Sequence, residues 1–220
     1  CFIFQTFVLI WRSIIPTTQP ESEITTQTRI LEAAEHLFVE QGYAATSLRA
    51  IAKAAQVNLA ATHYHFGSKQ GLLAATLHAR ATPVNACRLA ALARLEEHSE
   101  HLTAAAIIEA FFQPFTNGEL DESLPRMMGR IFGEPQALIR PMLEQEFKPT
   151  TERFIKALQP LLPDLDQETL QWRFHFVIGA MIHLLANSTP LGLTQADRKT
   201  ETQAFQRLQK FVVAGLQSPV

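Results

Sequence analysis

The segment Ala54–Leu73, AAQVNLAATHYHFGSKQGLL, gathers the side chains of this sequence that are most capable of chemistry: His63, Tyr64 and His65 in a row, with Lys69 close behind. Two imidazoles can ligate a metal, an aromatic run can fill a core, and a helix tip bearing Tyr, His and Lys can donate hydrogen bonds to a large anion. The metal reading is weak. On a helix His63 and His65 point to opposite faces and lack a third ligand, while His98 and His101 have i,i+3 spacing but only Glu97 as a neighbouring carboxylate. No Gly-rich phosphate loop and no local Ser/His/Asp signature occurs, so neither a metal, a cofactor nor an enzyme is expected.

The frame that must position these residues is set by composition. At 220 residues, 47% hydrophobic and 18% charged, the chain suits one or two domains with a sizeable core. Its two cysteines, Cys1 and Cys87, cannot build a disulfide framework or a Cys-based zinc site within one chain, which points to a reducing compartment and a cytoplasmic protein. The net charge of −2 hides an asymmetry: residues 25–80 carry five Lys/Arg against three Asp/Glu (+2), residues 81–220 thirteen against sixteen (−3). The basic half is the one that holds the His/Tyr/Lys cluster.

Residues 1–24 read as an apolar then polar extension outside the fold. CFIFQTFVLIWRSII is interrupted by Arg12, too short for a membrane span and without the cationic start and small-residue cleavage site of a signal peptide. The chain begins with Cys1 and its first methionine is Met127, so upstream sequence read into the protein, or a fragment boundary, is the expectation, with a real anchor as the alternative.

From Thr25 the pattern is helical. Ile30, Leu31, Ala34, Leu37 and Phe38 form one stripe, with Arg29, Glu32, Glu35 and Glu40 on the other side, and Gly42 caps the end. A second helix, with Thr46 as N-cap, buries Leu48, Ile51, Ala52 and Ala55 and turns Arg49 and Lys53 outward. After the tight turn QVN, Asn58 caps a third short helix, LAATHYHF, and GS reopens a fourth at Lys69. Two short helices joined by a tight turn are a helix-turn-helix unit, whose second helix offers small and polar residues to the major groove. With Val57, Thr62 and Phe66 toward the core, Leu59, Ala60, Ala61 and His63 face the bases, and Tyr64, His65 and Lys69 flank the groove within reach of phosphates.

At these residues the sequence resembles a known family. RILEAAEHLFVEQGYAATSLRAIAKAAQVNLAATHYHFGSKQGLL is similar to the DNA-binding domain of TetR-family transcriptional regulators over about 45 residues. The resemblance implies phosphate-backbone contacts for Thr46, Ser47, Tyr64, His65 and Lys69, and positions near bases for Arg49, Leu59, Ala60, Ala61 and His63. The sequence departs from the pattern twice: His63 stands where tyrosine is most frequent, and Thr62 where an apolar residue is usual. A helical threonine can bond its hydroxyl back to a carbonyl and bury its methyl.

Residues 81–220 show helical segments and no strand-like alternation: about Pro83–Glu97, TAAAIIEAFFQPF, Leu124–Phe132, Pro135–Leu158, DQETLQWRFHFVIGAMIHLLAN and TETQAFQRLQKFVVAGL. The second-last is apolar on more than one face, with Leu170, Phe174, Val177, Ile178, Met181 and Leu185 on one side and Trp172, Phe176 and Ile182 elsewhere. Gly179 and Ala180 permit close approach of a partner subunit. The expected fold is therefore all-α: a helix-turn-helix three-helix DNA-binding domain, residues 25–80, followed by a larger helical ligand-binding and dimerisation domain, residues 81–220. The resemblance implies a homodimer through a four-helix bundle, a palindromic double-stranded DNA operator, and a repressor released by a small effector.

FGEPQALIRPMLEQEF and WRFHFVIGAMIHLLA resemble the branch that includes PsrA-type regulators, which implies a long-chain fatty acid or acyl-CoA; a drug or aromatic compound is the alternative. Phe111, Phe112, Phe115, Met127, Met128, Ile131, Phe132, Phe147 and Phe154 supply the apolar surface for a ligand tunnel, or else simply a bundle core. Arg88, Arg126, Arg130, Arg140 and Arg173 read as surface or ion-pair residues, one of which could meet a ligand carboxylate or phosphate. A helical enzyme with a buried titratable cluster and a membrane-associated protein are the rival classes.

Overall fold

A computed structural model of the chain describes residues 21–98, 102–116, 123–186 and 198–219. They form nine α-helices and one short 3-10 turn, with no strand among them: α1 Glu21–Gln41, α2 Leu48–Ala54, α3 Leu59–Phe66, α4 Lys69–His98, α5 Ala104–Thr116, α6 Ser123–Ile131, α7 Gln136–Leu158, the turn Gln159–Leu161, α8 Gln167–Ala186 and α9 Arg198–Gln217. The all-helical expectation holds. Among the described residues no helix is long and apolar enough to cross a membrane. Residues 1–20 lie outside the described part, and α1 takes in Glu21–Ile24, which the sequence had assigned to the extension.

Each boundary has a local cause. The amide of Gly42 bonds Phe38 O at 3.1 Å, and its φ of +82° is the left-handed turn that ends α1. Ser47, not Thr46, caps α2: its hydroxyl accepts from the Ala50 amide at 3.1 Å. Thr46 is only 2% exposed and donates its hydroxyl inward, to Gly42 O at 2.8 Å and Leu37 O at 3.1 Å. Asn58 caps α3 through the Ala60 amide at 2.9 Å, as its position foretells. Asp166 does the same for α8 through the Thr169 amide at 2.7 Å, a bond that holds its carboxyl below the usual range.

The largest departure from the sequence reading is α4. A break near Pro83 is expected, because proline lacks the amide donor and clashes with the preceding turn. Instead one helix of 30 residues runs straight through it. Ala81 and Val84 beside the proline are buried, so packing on both sides compensates the lost hydrogen bond. The boundary expected between residues 80 and 81 thus falls inside a continuous rod that belongs to both halves of the molecule.

Two apolar cores follow. One joins Ile30, Ala34 and Phe38 of α1, Ile51 of α2 and Leu72, Leu73 and Leu77 of α4 to Met127 and Ile131 of α6 and Ile139 and Met142 of α7. The other holds the end of α4, α5, the end of α7, α8 and α9, with the Phe111 ring edge-on to Phe154 at 5.1 Å and to Phe174 at 5.0 Å. The helix-turn-helix therefore shares a core with α6 and α7. Glu35, expected on the solvent face of α1, is buried and accepts from Arg80 Nε at 2.8 Å.

At the α3–α4 corner, a Cβ on Gly71 would sit 2.3 Å from Phe66 O, a backbone atom that cannot swing aside. Gly71→Ala should lower unfolding stability by about 1–3 kcal/mol, overpacking outweighing the usual helical gain of Ala over Gly of about 0.5–1 kcal/mol. Urea denaturation checks the sign.

Candidate nucleic-acid interface and ligand cavity

The turn between α2 and α3 is built on a strained residue and braced from α1. Gln56 has φ +56°, left-handed for a side chain that rarely adopts it. Arg29 closes the turn from behind, its Nη2 donating to Ala55 O and, at 3.0 Å, to Gln56 O. Val57 N bonds back to Ala52 O at 2.9 Å. Thr62 fills its core position with the hydroxyl returned to Leu59 O at 2.7 Å. Locked on that side, α3 turns the other outward. Tyr64 is 78% exposed, with its ring edge-on to His65 at 5.1 Å. His63 and Ala60 are exposed, while Leu59, Ala61 and His65 are half-buried, Ala61 packing on the core. His63 Nδ1 lies 3.0 Å from Gly67 O, so a neutral ring donates there and keeps Nε2 as an acceptor. On α2, Ser47, Arg49 and Lys53 are exposed.

Two residues expected at phosphates make bonds inside the protein. Thr46 is turned inward, as described. Lys69 is folded onto the α1–α2 loop: its Nζ donates to Tyr43 O and Thr46 O, each at 2.9 Å, reaches Ala44 O at 3.4 Å, and lies 4.2 Å from the centroid of the Tyr43 ring. Its ammonium satisfies backbone carbonyls. The same loop is held from its other side by the α6–α7 connection, where Glu134 Oε1 accepts from the amides of Tyr43 at 3.0 Å and Ala44 at 3.4 Å. Burial, and then the Glu134 carboxylate, raise the Tyr43 phenol above its ordinary pKa. Arg130 of α6 adds a bond from Nε to Val39 O at 2.8 Å, near the end of α1.

A cavity of about 1150 Å³ lies on the other side of α6. Of the nine residues proposed for a tunnel, Phe111, Phe115, Met128, Phe132 and Phe147 line it. Phe112 and Phe154 are fully buried in the second core, and Met127 and Ile131 in the first, so those four serve packing. The remaining apolar wall comes from Leu124, Leu143 and the α8 residues Trp172, Ile178, Met181, Ile182 and Leu185. The outer rim carries Gln136, Arg140, Glu144, Lys148, Glu168, Gln171 and His175, with Arg140 and Glu144 ion-paired at 2.7 Å.

The arginines divide differently from the expectation. Arg130 and Arg173 bond backbone carbonyls, the latter reaching Leu216 O at 2.8 Å. Arg88 lies off the surface and has no ion-pair partner among the described residues. It is 3% exposed, lines the cavity, donates from Nε to Phe111 O at 2.9 Å, and stacks 3.9 Å from the Phe111 centroid. Burial pushes its guanidinium down to about 9, with Cys87 acting in the other direction. No group of three or more His, Cys, Asp or Glu able to hold a metal occurs among the described residues; His101 lies outside them.

Comparison with known proteins places this architecture. The family model described as "Bacterial regulatory proteins, tetR family" matches residues 30–76, and that described as "Tetracyclin repressor-like, C-terminal domain" matches residues 105–215. The probable HTH-type transcriptional regulator YttP of Bacillus subtilis (strain 168) is 43% identical over 51 residues, 23% of this chain and 25% of that relative. The match thus spans about a quarter of the relative's length. The fatty acid degradation regulator FadR from Bacillus halodurans has a TM-score of 0.64 at 14% identity, covering 91% of this chain and 99% of that one. NalD, the secondary repressor of the MexAB-OprM multidrug efflux pump in Pseudomonas aeruginosa, has a TM-score of 0.62 at 22% identity, covering 89% and 97%. At these identities the likeness to the two solved structures is one of fold.

The position of Lys69 has a measurable consequence. Lys69→Ala leaves Thr46 O without this donor and Tyr43 O with only the Thr46 amide at 3.2 Å, and should cost about 1–3 kcal/mol of stability. If the ammonium instead served only an outside anion, urea unfolding of the variant would match the parent chain.

Proposed function

Because the chain belongs to the TetR family of bacterial regulatory proteins, we propose that it is a sequence-specific DNA-binding repressor of the cytoplasm, released from its operator by a small, largely apolar ligand held in the cavity beside α6. The observation that carries the reading is the two-sidedness of α3. Its inner face is locked by Thr62 and the Arg29-braced turn, and its outer face presents Ala60, His63 and Tyr64 free of the core. An exposed helix of eight residues after a tight turn fits the major groove. Ala60 and the half-buried Leu59 suit thymine methyls, and His63 Nε2 suits an amino donor on a base edge. Ser47, Tyr64 and His65 are offered to phosphates, and Arg49, exposed on α2, to the bases. Thr46 and Lys69 support this face from beneath.

A homodimer completes the reader. Trp172 and Phe176 on α8 and Phe211 on α9 are large apolar residues left 56%, 62% and 73% exposed in one protomer, and Arg173 ties the two helices together. A second copy packed on α8 and α9 would cover them, giving two recognition helices related by a twofold axis and an inverted-repeat operator.

The ligand signal has a short path. Phe132 lines the cavity, and its neighbours Arg130 and Glu134 grip the end of α1 and the loop that precedes α2. A ligand that displaces α6 therefore moves the mounting of the helix-turn-helix, and it shifts the population by its differential affinity for the two positions. The apolar, phenylalanine-rich wall supports a long-chain fatty acid or acyl-CoA as effector, with an aromatic drug-like compound as the second reading, which Trp172 and the Phe rings favour equally.

Three outcomes are expected. Arg49→Ala should weaken binding to specific DNA by about 1–3 kcal/mol and to nonspecific DNA much less, whereas equal losses on both remove Arg49 from the bases. Footprinting should give an inverted repeat protected by a dimer; a single half-site bound by a monomer would refute the symmetry. Release by an acyl series should strengthen about fourfold per methylene, from about 0.8 kcal/mol each, and Glu134→Gln should blunt that response more than it weakens DNA binding. Release that ignores chain length favours the aromatic ligand.

A further inference from the structure

The cavity contains one feature that an apolar ligand does not explain. Arg88 projects from the middle of α4 into its inner end, 3% exposed, among Phe111, Phe115 and Met181. Its Nε is spent on Phe111 O at 2.9 Å and its Nη2 faces Met181 Sδ at 3.3 Å, a weak acceptor. The Phe111 and Phe115 rings, 3.9 and 5.4 Å from the guanidinium carbon, complete the surroundings. No carboxylate lies within ion-pair distance among the described residues, and Nη1 has no hydrogen-bond partner there. A buried cation without a counter-ion is costly, and proteins retain one where something else completes the pair. Lowered to about 9 by burial, the group is still charged near neutral pH.

The acidic residues of the cavity are at the rim. Glu144 is paired to Arg140 at 2.7 Å, and Glu144 and Glu168 are exposed, so neither neutralises the inner end. Half-buried Leu143, Phe147, Ile178 and Ile182 add apolar lining, while Phe132 is 39% exposed. Charge at the bottom and hydrocarbon along the shaft define a ligand with the matching order of groups.

We propose that the effector is an amphipathic organic acid that enters head first, its free carboxylate pairing with Arg88 and its hydrocarbon part filling the shaft toward the rim. The proposal rests on the reading of this cavity as the effector site, and it narrows the chemical class. An acid whose carboxyl is esterified or joined to coenzyme A lacks the carboxylate that would pair with Arg88, so the free acid and not its thioester is the ligand. Reversing the ligand would set a hydrocarbon end against a guanidinium, leaving the cation unpaired and the acid in water, which forfeits the charge-assisted bonds that Arg forms with carboxylates.

The test is direct binding to the purified full chain, without DNA, of dodecanoate, methyl dodecanoate and 1-dodecanol below micelle-forming concentrations, followed by calorimetry. The parent chain should bind dodecanoate at least tenfold more tightly than either neutral analogue. Arg88→Met should lose that preference by weakening dodecanoate at least tenfold while the alcohol binds as before or better, and Arg88→Lys should retain part of it; circular dichroism reports whether each variant folds. Comparable binding of acid, ester and alcohol by the parent chain, a preference for the acid that survives in Arg88→Met, or binding of none of the three overturns the proposal. The comparison on the parent chain stands even if Arg88→Met fails to fold. Operator binding assayed separately keeps the two ideas apart: DNA released equally by acid and alcohol removes the role of Arg88 and leaves the repressor, whereas acid-selective binding by a chain that ignores DNA removes the repressor and leaves the site.

Discussion

The loop Tyr43–Thr46 makes one backbone bond of its own, Thr46 N to Tyr43 O at 3.2 Å, and side chains from distant parts of the chain supply it with further partners. Peptide groups withdrawn from water must find partners, because an orphaned one costs about as much as a lost hydrogen bond. Here the carbonyls of Tyr43 and Thr46 are served by Lys69 at 2.9 Å each, from the first residue of α4. The amides of Tyr43 and Ala44 are served by Glu134, from the connection after α6. A cation and a carboxylate from two distant parts of the chain thus close one loop from both sides. Because α2 starts directly after it and α3 packs on α2, the direction of the exposed recognition face is set by where Lys69 and Glu134 stand.

The shared core gives that arrangement stiffness. Met127 and Ile131 are packed with Ile30, Phe38 and Leu77, so α6 cannot move without disturbing the domain that carries α3. On its far side α6 presents Met128, and the following residue Phe132, to the cavity. One helix of nine residues consequently touches both the cavity and the helix-turn-helix. The long α4 joins the same two regions, with Lys69 at its first residue and Arg88 further along, in the cavity.

The parts legible in the sequence are those governed by local rules. Helical periodicity, Gly42 as a stop, Asn58 as a cap and the short turn before it are properties of neighbouring residues, and they place the recognition helix correctly. The misreadings concern residues whose partners are remote. Thr46 and Ser47 are both good caps, and only the inward carbonyls of Leu37 and Gly42 decide that Thr46 is the buried one. Lys69 resembles a phosphate ligand in sequence because nothing local announces the carbonyls 23 and 26 positions away. Pro83 reads as a helix end until Ala81 and Val84 are seen buried on either side. Met127 and Ile131 are as apolar as Met128 and Phe132, and their assignment to core or cavity depends on which face of α6 meets α1. Arg88 looked like the other arginines because burial is not written in a residue's type.

We propose that the cavity and the exposed face of α3 communicate through the Tyr43–Thr46 loop. Hydrogen exchange of the Tyr43 and Ala44 amides, measured on the full chain with and without dodecanoate in the cavity, tests it most directly, since both amides are held by Glu134. The account expects their exchange rates to change on ligand binding together with those of α6. Amides that respond only around the cavity, on α5, α7 and α8, while Tyr43 and Ala44 exchange as before, would contradict it.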